Sequence, residues 1–179
     1  MKKRIIALGL LWCLSAVMLQ AARVDTVLVR SAAMNKDVKV VYVLPDKAIG
    51  KQACPVVYLL HGYGGNAKTW IGVKPDLPQI ADEKGIIFVC PDGKNSWYWD
   101  SPKDPSYRYE TFVSSELVKY IDGHYKTIAD RKGRAITGLS MGGHGAMWNA
   151  IRHKDTFGAG GSTSGGVDIR SFPLNWDMS

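Results

Sequence analysis

The apolar residues of this chain first recur at strand spacing. Residues 24–30 and 38–44 alternate apolar and polar side chains, as half-exposed strands do. Turn residues at 35–37 separate the two segments, so they predict an antiparallel pair at a sheet edge. Apolar runs at 56–60 and 86–90 are typical of buried strands. The first half of the chain therefore predicts four strands.

Helix spacing appears between and after the buried runs. Apolar residues recur at helical intervals in three segments, 75–84, 110–125 and 141–153. Residues 134–137 and 157–162 predict two further strands. Strands that alternate with helices predict an α/β fold, in which a mostly parallel sheet carries helices on both faces.

Residues 1–22 have the layout of a signal peptide. Three basic residues precede an apolar run at 5–19, and Ala21 and Ala22 suit cleavage. A run of about 15 residues is short for a membrane span, which makes an uncleaved anchor the minor alternative. Cys13 follows a bulky residue, which argues against a lipoprotein signal. We expect a soluble exported protein, secreted or periplasmic, without membrane association after cleavage.

Length and charge narrow the classes of function. The 179 residues predict one domain over 23–179 after the signal peptide. The formal net charge is +7, but without the three basic residues at the N-terminus 20 basic residues stand against 16 acidic ones, or +4. Because these charges are spread along the chain, nucleic-acid binding is disfavoured. The sequence predicts no cofactor and no metal site, and it leaves the oligomeric state open.

Removal of the signal peptide leaves two cysteines. Cys54 precedes one predicted parallel strand, and Cys90 ends the strand expected beside it. At about 3.3 Å per residue, that offset places the two thiols beyond disulfide reach. We therefore expect both cysteines to be unpaired.

The motif with the most chemistry is Gly-Leu-Ser-Met-Gly at 138–142. It fits the G-x-S-x-G nucleophile elbow, in which a strand turns sharply into a helix and leaves the serine at the apex. Side chains at Gly138 or Gly142 would collide where strand and helix pass closely. A chance glycine and serine turn is the alternative, but a strand precedes this motif and a helix follows it. Ser140 is therefore the predicted nucleophile.

A serine nucleophile also needs hydrogen-bond donors for the oxyanion that forms on the substrate. The elbow geometry assigns one donor to the N–H of Met141. The glycine-rich loop at 61–65 follows an apolar strand and can approach a ligand closely. We assign the second donor to the Tyr63 N–H, with Gly62 or Gly64 as alternatives.

A long loop at 94–109 is rich in aromatic residues and follows a predicted parallel strand. Such loops surround the active site in open α/β sheets, so its rings predict an aromatic wall for a sugar or aryl group. The alternative is that the rings fasten the loop to the domain. The candidate substrate-binding residues, each with this ambiguity, are Trp70, Trp97, Tyr98 and Asp100.

Three blocks together resemble the esterase D-like branch of the α/β-hydrolases: residues 61–65, 109–113 and 138–146. That branch includes feruloyl and acetyl-xylan esterases, S-formylglutathione hydrolases and the mycobacterial mycolyltransferases. The resemblance runs from about Val24 to the C-terminus and implies the α/β-hydrolase fold. It also implies that His144, on the helix behind the nucleophile, is a packing residue.

The resemblance further implies a Ser-Asp-His triad in that chain order. The 39 residues after Ser140 hold the following acids and bases: His144, His153, Asp155, Asp168 and Asp177. The branch carries its acid and base on loops after later strands, which are missing here. His61 belongs to the oxyanion loop and His124 ends a helix. The triad acid and base are thus not found, and we expect a domain that is incomplete at its C-terminus.

The expected function is that of a secreted serine carboxylic-ester hydrolase. It would form an acyl-enzyme at Ser140 and act on acyl or feruloyl esters of carbohydrate, as small molecules or in plant polysaccharide. One alternative is an acyltransferase of the mycolyltransferase type, in which a sugar hydroxyl replaces water. Another is an inactive, carbohydrate-binding relative of the hydrolases. Without its acid and base, the 179-residue chain itself is expected to be nearly inactive.

Overall fold

The computed structural model describes residues 22–168 of the chain. Within this part, six strands form one sheet in the order β1-β2-β4-β3-β5-β6. The strands are β1 (Arg23–Ser31), β2 (Lys36–Leu44), β3 (Val56–Leu60), β4 (Ile87–Pro91), β5 (Arg134–Gly138) and β6 (Ala159–Gly160). The helices are α1 (Asp46–Ile49), α2 (Thr69–Val73), α3 (Leu77–Lys84), α4 (Tyr109–Thr111), α5 (Leu117–His124) and α6 (Met141–Arg152).

Strand pairing divides the sheet into two parts. The pair β1 and β2 is antiparallel, and β2 continues antiparallel onto β4. The strands β4, β3, β5 and β6 run parallel to one another. The antiparallel edge pair is therefore confirmed. Its turn lies at 32–35, two to three residues earlier than predicted, and Asn35 takes the left-handed conformation there (φ 52°).

Side chains alternate between the two faces of the sheet and build a core on each. On one face Tyr42 packs with residues of α5 and α6 such as Leu117 and Ala146. On the other, Val43 packs with Leu77 and other residues of α3. Helices thus cover both faces, which confirms the predicted α/β architecture and leaves the carboxyl ends of the parallel strands open for a site.

The helix predicted at 110–125 is not continuous. A π-helical turn, Phe112–Glu116, separates α4 from α5. In this turn the Ser114 hydroxyl donates to the Glu110 carbonyl at 2.7 Å. That bond competes with the backbone ladder of an α-helix, which periodicity alone does not reveal.

Both cysteines of the described part are buried and unpaired, which confirms the prediction for Cys54 and Cys90. No helix within residues 22–168 is long and apolar enough to cross a membrane. The predicted signal peptide, apart from its last residue, and Asp177 lie outside the described residues. The predicted strand at 157–162 is reduced to the two residues of β6.

Candidate active site

Ser140 stands between the end of β5 and the start of α6, with its side chain exposed. Its backbone has φ 53° and ψ −117°, a conformation that residues with a Cβ adopt only under strain. Two backbone hydrogen bonds hold the turn. Ser140 N–H donates to the Thr163 carbonyl at 2.9 Å, and Gly142 N–H donates to Leu139 at 2.8 Å. This is the strained strand-to-helix turn that a nucleophile elbow requires.

The glycines around Ser140 permit the close passage of strand and helix. A Cβ on Gly138 would lie 2.3 Å from the Gly142 carbonyl oxygen. A Cβ on Gly142 would lie 2.2 Å from the carbonyl oxygen of Leu60, at the end of β3. Both obstacles are backbone atoms, so neither can move aside cheaply. Glycine is required at both positions for the steric reason expected from the motif.

The loop at 61–65 lies beside the elbow, although about eighty residues separate them in sequence. A Cβ on Gly62 would be 3.6 Å from the Cβ of Ser140. The Gly64 N–H already donates to Asn95 Oδ1 at 2.9 Å. That bond engages the Gly64 N–H, which is one of the two alternatives to Tyr63 as the predicted second oxyanion donor. Met141, which supplies the other proposed donor, is buried at the N-terminus of α6.

His61 holds this loop through both ring nitrogens. Its Nδ1 donates to the Gly62 carbonyl at 2.7 Å, and its Nε2 accepts from the Gly93 N–H at 2.9 Å. This pattern defines a neutral imidazole with its proton on Nδ1. The carboxylate of Asp92, 3.8 Å from Nε2, is therefore a neighbour of the ring and not its ion-pair partner. His61 is a structural residue here and has no nitrogen left to act as a base.

Asp92 stays ionised beside this ring. Burial of its carboxyl group would raise the pKa, but hydrogen bonds from the backbone N–H and the ammonium group of Lys94 lower it below the ordinary value. The Lys94 ammonium lies 2.9 Å from the carboxylate. This pair fastens the start of the aromatic loop to the end of β4.

His144 is a packing residue in the structure. It is buried in the first turns of α6, where its Nδ1 donates to the Gly166 carbonyl at 2.6 Å. Its Nε2 accepts from the indole N–H of Trp99 at 2.7 Å. Burial lowers the pKa of His144, partly opposed by the bond to Gly166. Both nitrogens are occupied, so His144 is not placed as a general base.

The two remaining histidines lie elsewhere. His153 follows α6 and bonds Glu110 Oε1 at 2.8 Å. Because α6 has 12 residues, His153 lies roughly 18 Å along the helix from Ser140. His124 ends α5 and donates to the Tyr120 carbonyl. Within residues 22–168, therefore, no histidine is assigned as the base for Ser140.

Glu110 is a buried carboxylate held by three donors. Besides His153, it accepts from Trp148 Nε1 and Arg152 Nε, both at 2.7 Å. Burial would raise the pKa of Glu110, but these hydrogen bonds lower it below the ordinary value. This cluster has no signature in the sequence, because its members are brought together only when α4 packs against α6.

The aromatic loop borders a cavity of about 670 Å³. Its wall includes the glycines of the oxyanion loop, rings of the aromatic loop and several polar side chains: Gly64, Gly65, Lys94, Asn95, Trp97, Trp99, Lys103, Asp104 and Tyr107. The rings of Trp97 and Trp99 are tilted against each other at 6.4 Å. Flat apolar surfaces with a polar rim suit a ring-shaped ligand.

The four candidate substrate-binding residues have different surroundings. Trp97 lines the cavity and packs edge-on against the His144 ring at 5.4 Å. Asp100 accepts from the backbone and hydroxyl of Thr111 at 3.0 and 2.5 Å, which fastens the loop to α4. Trp70 lies in α2 and packs against one face of the core. Tyr98 is fully buried and therefore does not reach a substrate, contrary to its prediction as a substrate-binding residue.

Other cavity residues were missed or left unassigned in the sequence analysis. Trp99 and Tyr107 were visible as part of the aromatic loop, but nothing in the pattern separated rings that line the cavity from rings that fasten the loop. Lys94, Asn95 and Lys103 carried no signal, because polar residues in a loop are ordinary.

Comparison with known proteins shows the family of this chain. The model of the Esterase family, described as "Putative esterase", matches residues 31–177. The chain belongs to this esterase family. Among relatives of this chain, the MPT51/MPB51 antigen of Mycobacterium tuberculosis is 34% identical over 149 residues, or 82% of this chain and 46% of the antigen. The endo-1,4-beta-xylanase/feruloyl esterase of Xylanibacter ruminicola is 36% identical over 127 residues, or 66% of this chain and 18% of that enzyme.

Solved structures show the same relationship. The crystal structure of M. tuberculosis MPT51 matches this esterase-family chain with a TM-score of 0.71 and 28% identity, over 83% of this chain and 53% of that one. A ferulic acid esterase matches with a TM-score of 0.66 and 33% identity, over 76% of this chain and 58% of that one. The fold is thus that of the α/β-hydrolase esterases. The chain spans about half or less of the length of the curated relatives described above.

Proposed function

We propose that this protein is a serine carboxylic-ester hydrolase that works through an acyl-enzyme at Ser140. The observation that carries the proposal is the strained backbone of Ser140, φ 53° and ψ −117°, next to the loop at 61–65. A strained, exposed serine at a strand-to-helix turn is what nucleophilic attack on an ester needs. Membership of the esterase family supports the same reaction class.

In the proposed reaction, Ser140 Oγ attacks the ester carbonyl carbon and gives up its proton to a base. The carbonyl oxygen becomes an oxyanion, which accepts hydrogen bonds from the N–H groups of Met141 and Tyr63. The partial positive charge at the N-terminus of α6 also stabilises the negative charge of this oxyanion. The tetrahedral intermediate expels the alcohol and leaves an acyl-serine, which water then hydrolyses to the free acid. The base and its acid partner are not assigned within residues 22–168.

The proposed substrates are acyl or feruloyl esters of carbohydrate. The aromatic cavity supports this choice, because Trp97 and Trp99 offer flat surfaces to an aryl or sugar ring and Asn95 offers polar groups at its rim. Similarity to a feruloyl esterase and to a ferulic acid esterase points to the same class. The charged and apolar layout of residues 1–22 supports export, so the proposed location is secreted or periplasmic.

A fluorophosphonate probe tests the proposal, because it labels only a serine that is activated for attack. The natural full-length protein is expected to be labelled, and Ser140→Ala is expected to abolish labelling. The same change is expected to lower kcat for an aryl acetate by roughly 10⁶-fold. Ser164→Ala is a matched control, because Ser164 is also exposed and also has a positive φ, 51°. It should be labelled at the wild-type rate.

Two results would contradict the proposal. Unchanged hydrolysis by Ser140→Ala would show that the nucleophile lies elsewhere. A wild-type protein that binds oligosaccharide but resists the probe would be a binding relative. If hydrolysis depends on Ser140 but added trehalose or oligosaccharide diverts the acyl group into a new ester, the enzyme is an acyltransferase.

A further inference from the structure

Tyr98 occupies an unusual place for a residue of a surface loop. It is fully buried, and both it and Trp97 have left-handed backbones, with φ values of 59° and 55°. Two consecutive non-glycine residues in this region are costly, so the surrounding packing must hold them there. The contacts of the buried Tyr98 side chain therefore offset the cost of this backbone conformation.

The phenol ring of Tyr98 fills a gap that two glycines leave. A Cβ on Gly93, just after β4, would lie 2.3 Å from the ring, and a Cβ on Gly145 of α6 would lie 2.6 Å from it. The ring also meets the His61 imidazole edge-on, with centroids 5.8 Å apart. Tyr98 is therefore wedged between the end of β4, the nucleophile helix and the start of the oxyanion loop.

The hydroxyl group of Tyr98 reaches the backbone of that loop. It accepts the His61 N–H at 3.0 Å, in a buried position. It also donates to the His61 carbonyl oxygen at 3.5 Å, and the same oxygen would lie 2.6 Å from a Cβ on Gly142. His61 is thus held between the phenol and the first turn of α6, and its position sets where the next residues of the loop begin.

We propose that Tyr98 is a positioning residue of the oxyanion hole. Its hydroxyl fixes the backbone at His61, two residues before the Tyr63 N–H that we assign as donor. This inference rests on the proposed esterase function. Donors act on a transition state only when they are already in place, and a displacement of about 1 Å costs on the order of 10² in rate.

Tyr98→Phe tests the inference, since it removes one oxygen atom and keeps the ring. Tyr58→Phe is the matched control. Tyr58 lies in β3, the strand that leads into the same loop, and is equally buried. Within the described part of the chain its hydroxyl has no hydrogen-bond partner. The two variants therefore make the same chemical change, but only the first releases the His61 N–H.

The measurement is the rate of Ser140 labelling by a fluorophosphonate in the natural full-length protein, as a function of probe concentration. For Tyr98→Phe we expect the maximal labelling rate to fall roughly tenfold, because the donors lose their placement. The concentration for half-maximal rate should change less than twofold, since ground-state binding does not use the oxyanion hole. Tyr58→Phe should match the wild type in both quantities. A merely structural role would lower the melting temperature without this split.

Gly145→Ala provides a second route if Tyr98→Phe fails to fold. It keeps the hydroxyl but must displace the Tyr98 ring, which a Cβ at Gly145 would meet at 2.6 Å, so the maximal rate should fall as well. If Tyr98→Phe and Tyr58→Phe have equal maximal labelling rates, and labelling still depends on Ser140, the positioning role of Tyr98 is wrong. The proposed esterase function would not be affected by that result. Labelling that survives Ser140→Ala would instead overturn the proposed function, and this inference with it.

Discussion

Replacement of Gly142 by alanine is the sharpest test of the elbow geometry. Gly142 is buried in the first turn of α6, and a Cβ there would lie 2.2 Å from the Leu60 carbonyl oxygen and 2.6 Å from that of His61. Ordinary contact begins at 3.4 Å, so helix and strand must separate by about 1.2 Å (3.4 minus 2.2). Both neighbours are backbone atoms of the sheet and its loop, which resist that movement.

The matched control is Gly123→Ala in α5. Gly123 is exposed, and a Cβ there has no atom within 4 Å. Alanine in a helix is favoured over glycine by about 1 kcal/mol, so this variant should be slightly more stable than the wild type. Forcing a methyl group into a packed site costs typically about 1–3 kcal/mol, which outweighs the same helical gain at Gly142. Because the helical gain is common to both variants, we expect them to differ by the overpacking cost, about 1–3 kcal/mol.

Thermal and urea denaturation measure this difference. For a domain of this size it corresponds to melting temperatures roughly 2–12 °C apart, with Gly142→Ala the lower. The displaced loop should also slow the labelling of Ser140 in Gly142→Ala, whereas Gly123→Ala should be labelled at the wild-type rate. If the two variants are equally stable, the close passage of strand and helix at the elbow is wrong.

Two further predictions concern single side chains at the site. Because burial lowers the pKa of His144 in the folded state, its contribution to stability is present above the unfolded value of 6.5 and is lost as the pH falls below it. His144→Gln should therefore flatten the decline in melting temperature between pH 6.5 and 5. At the apex, Ser140→Gly should be more stable than Ser140→Ala by about 1 kcal/mol or more in urea titrations, because glycine relieves the strain. Equal stability of Ser140→Gly and Ser140→Ala would show that the backbone at φ 53° is not strained. If the melting temperature of His144→Gln still falls steeply between pH 6.5 and 5, the loss of stability belongs to another titrating group.

The local features of this protein followed from sequence alone. Strand alternation predicted the edge hairpin, and uninterrupted apolar runs predicted β3 and β4. Gly138 and Gly142 predicted the close turn around Ser140. These features depend on residues within a few positions of each other, where periodicity and steric exclusion leave few alternatives.

The roles of buried polar and aromatic residues depended on tertiary structure. Tyr98 and Trp97 are neighbours in one aromatic loop, yet one is buried against His61 and the other lines the cavity. Asp100 bonds Thr111, a partner in α4. The role of each side chain depends on which distant segment of the chain packs against it. The composition of the loop, rich in aromatic and polar residues, does not specify that segment.

The search for a proton acceptor for Ser140 also separates what the sequence predicts from what only the tertiary structure decides. Four histidines were candidates by residue type, and sequence order could only rank them. In the folded chain, both ring nitrogens of His61 and of His144 are engaged in hydrogen bonds. His153 lies a helix length from Ser140. A local motif was enough to predict Ser140 as the nucleophile, because the elbow is built from consecutive residues. The availability of a base depends on hydrogen bonds made across the fold, and only the folded chain could decide it.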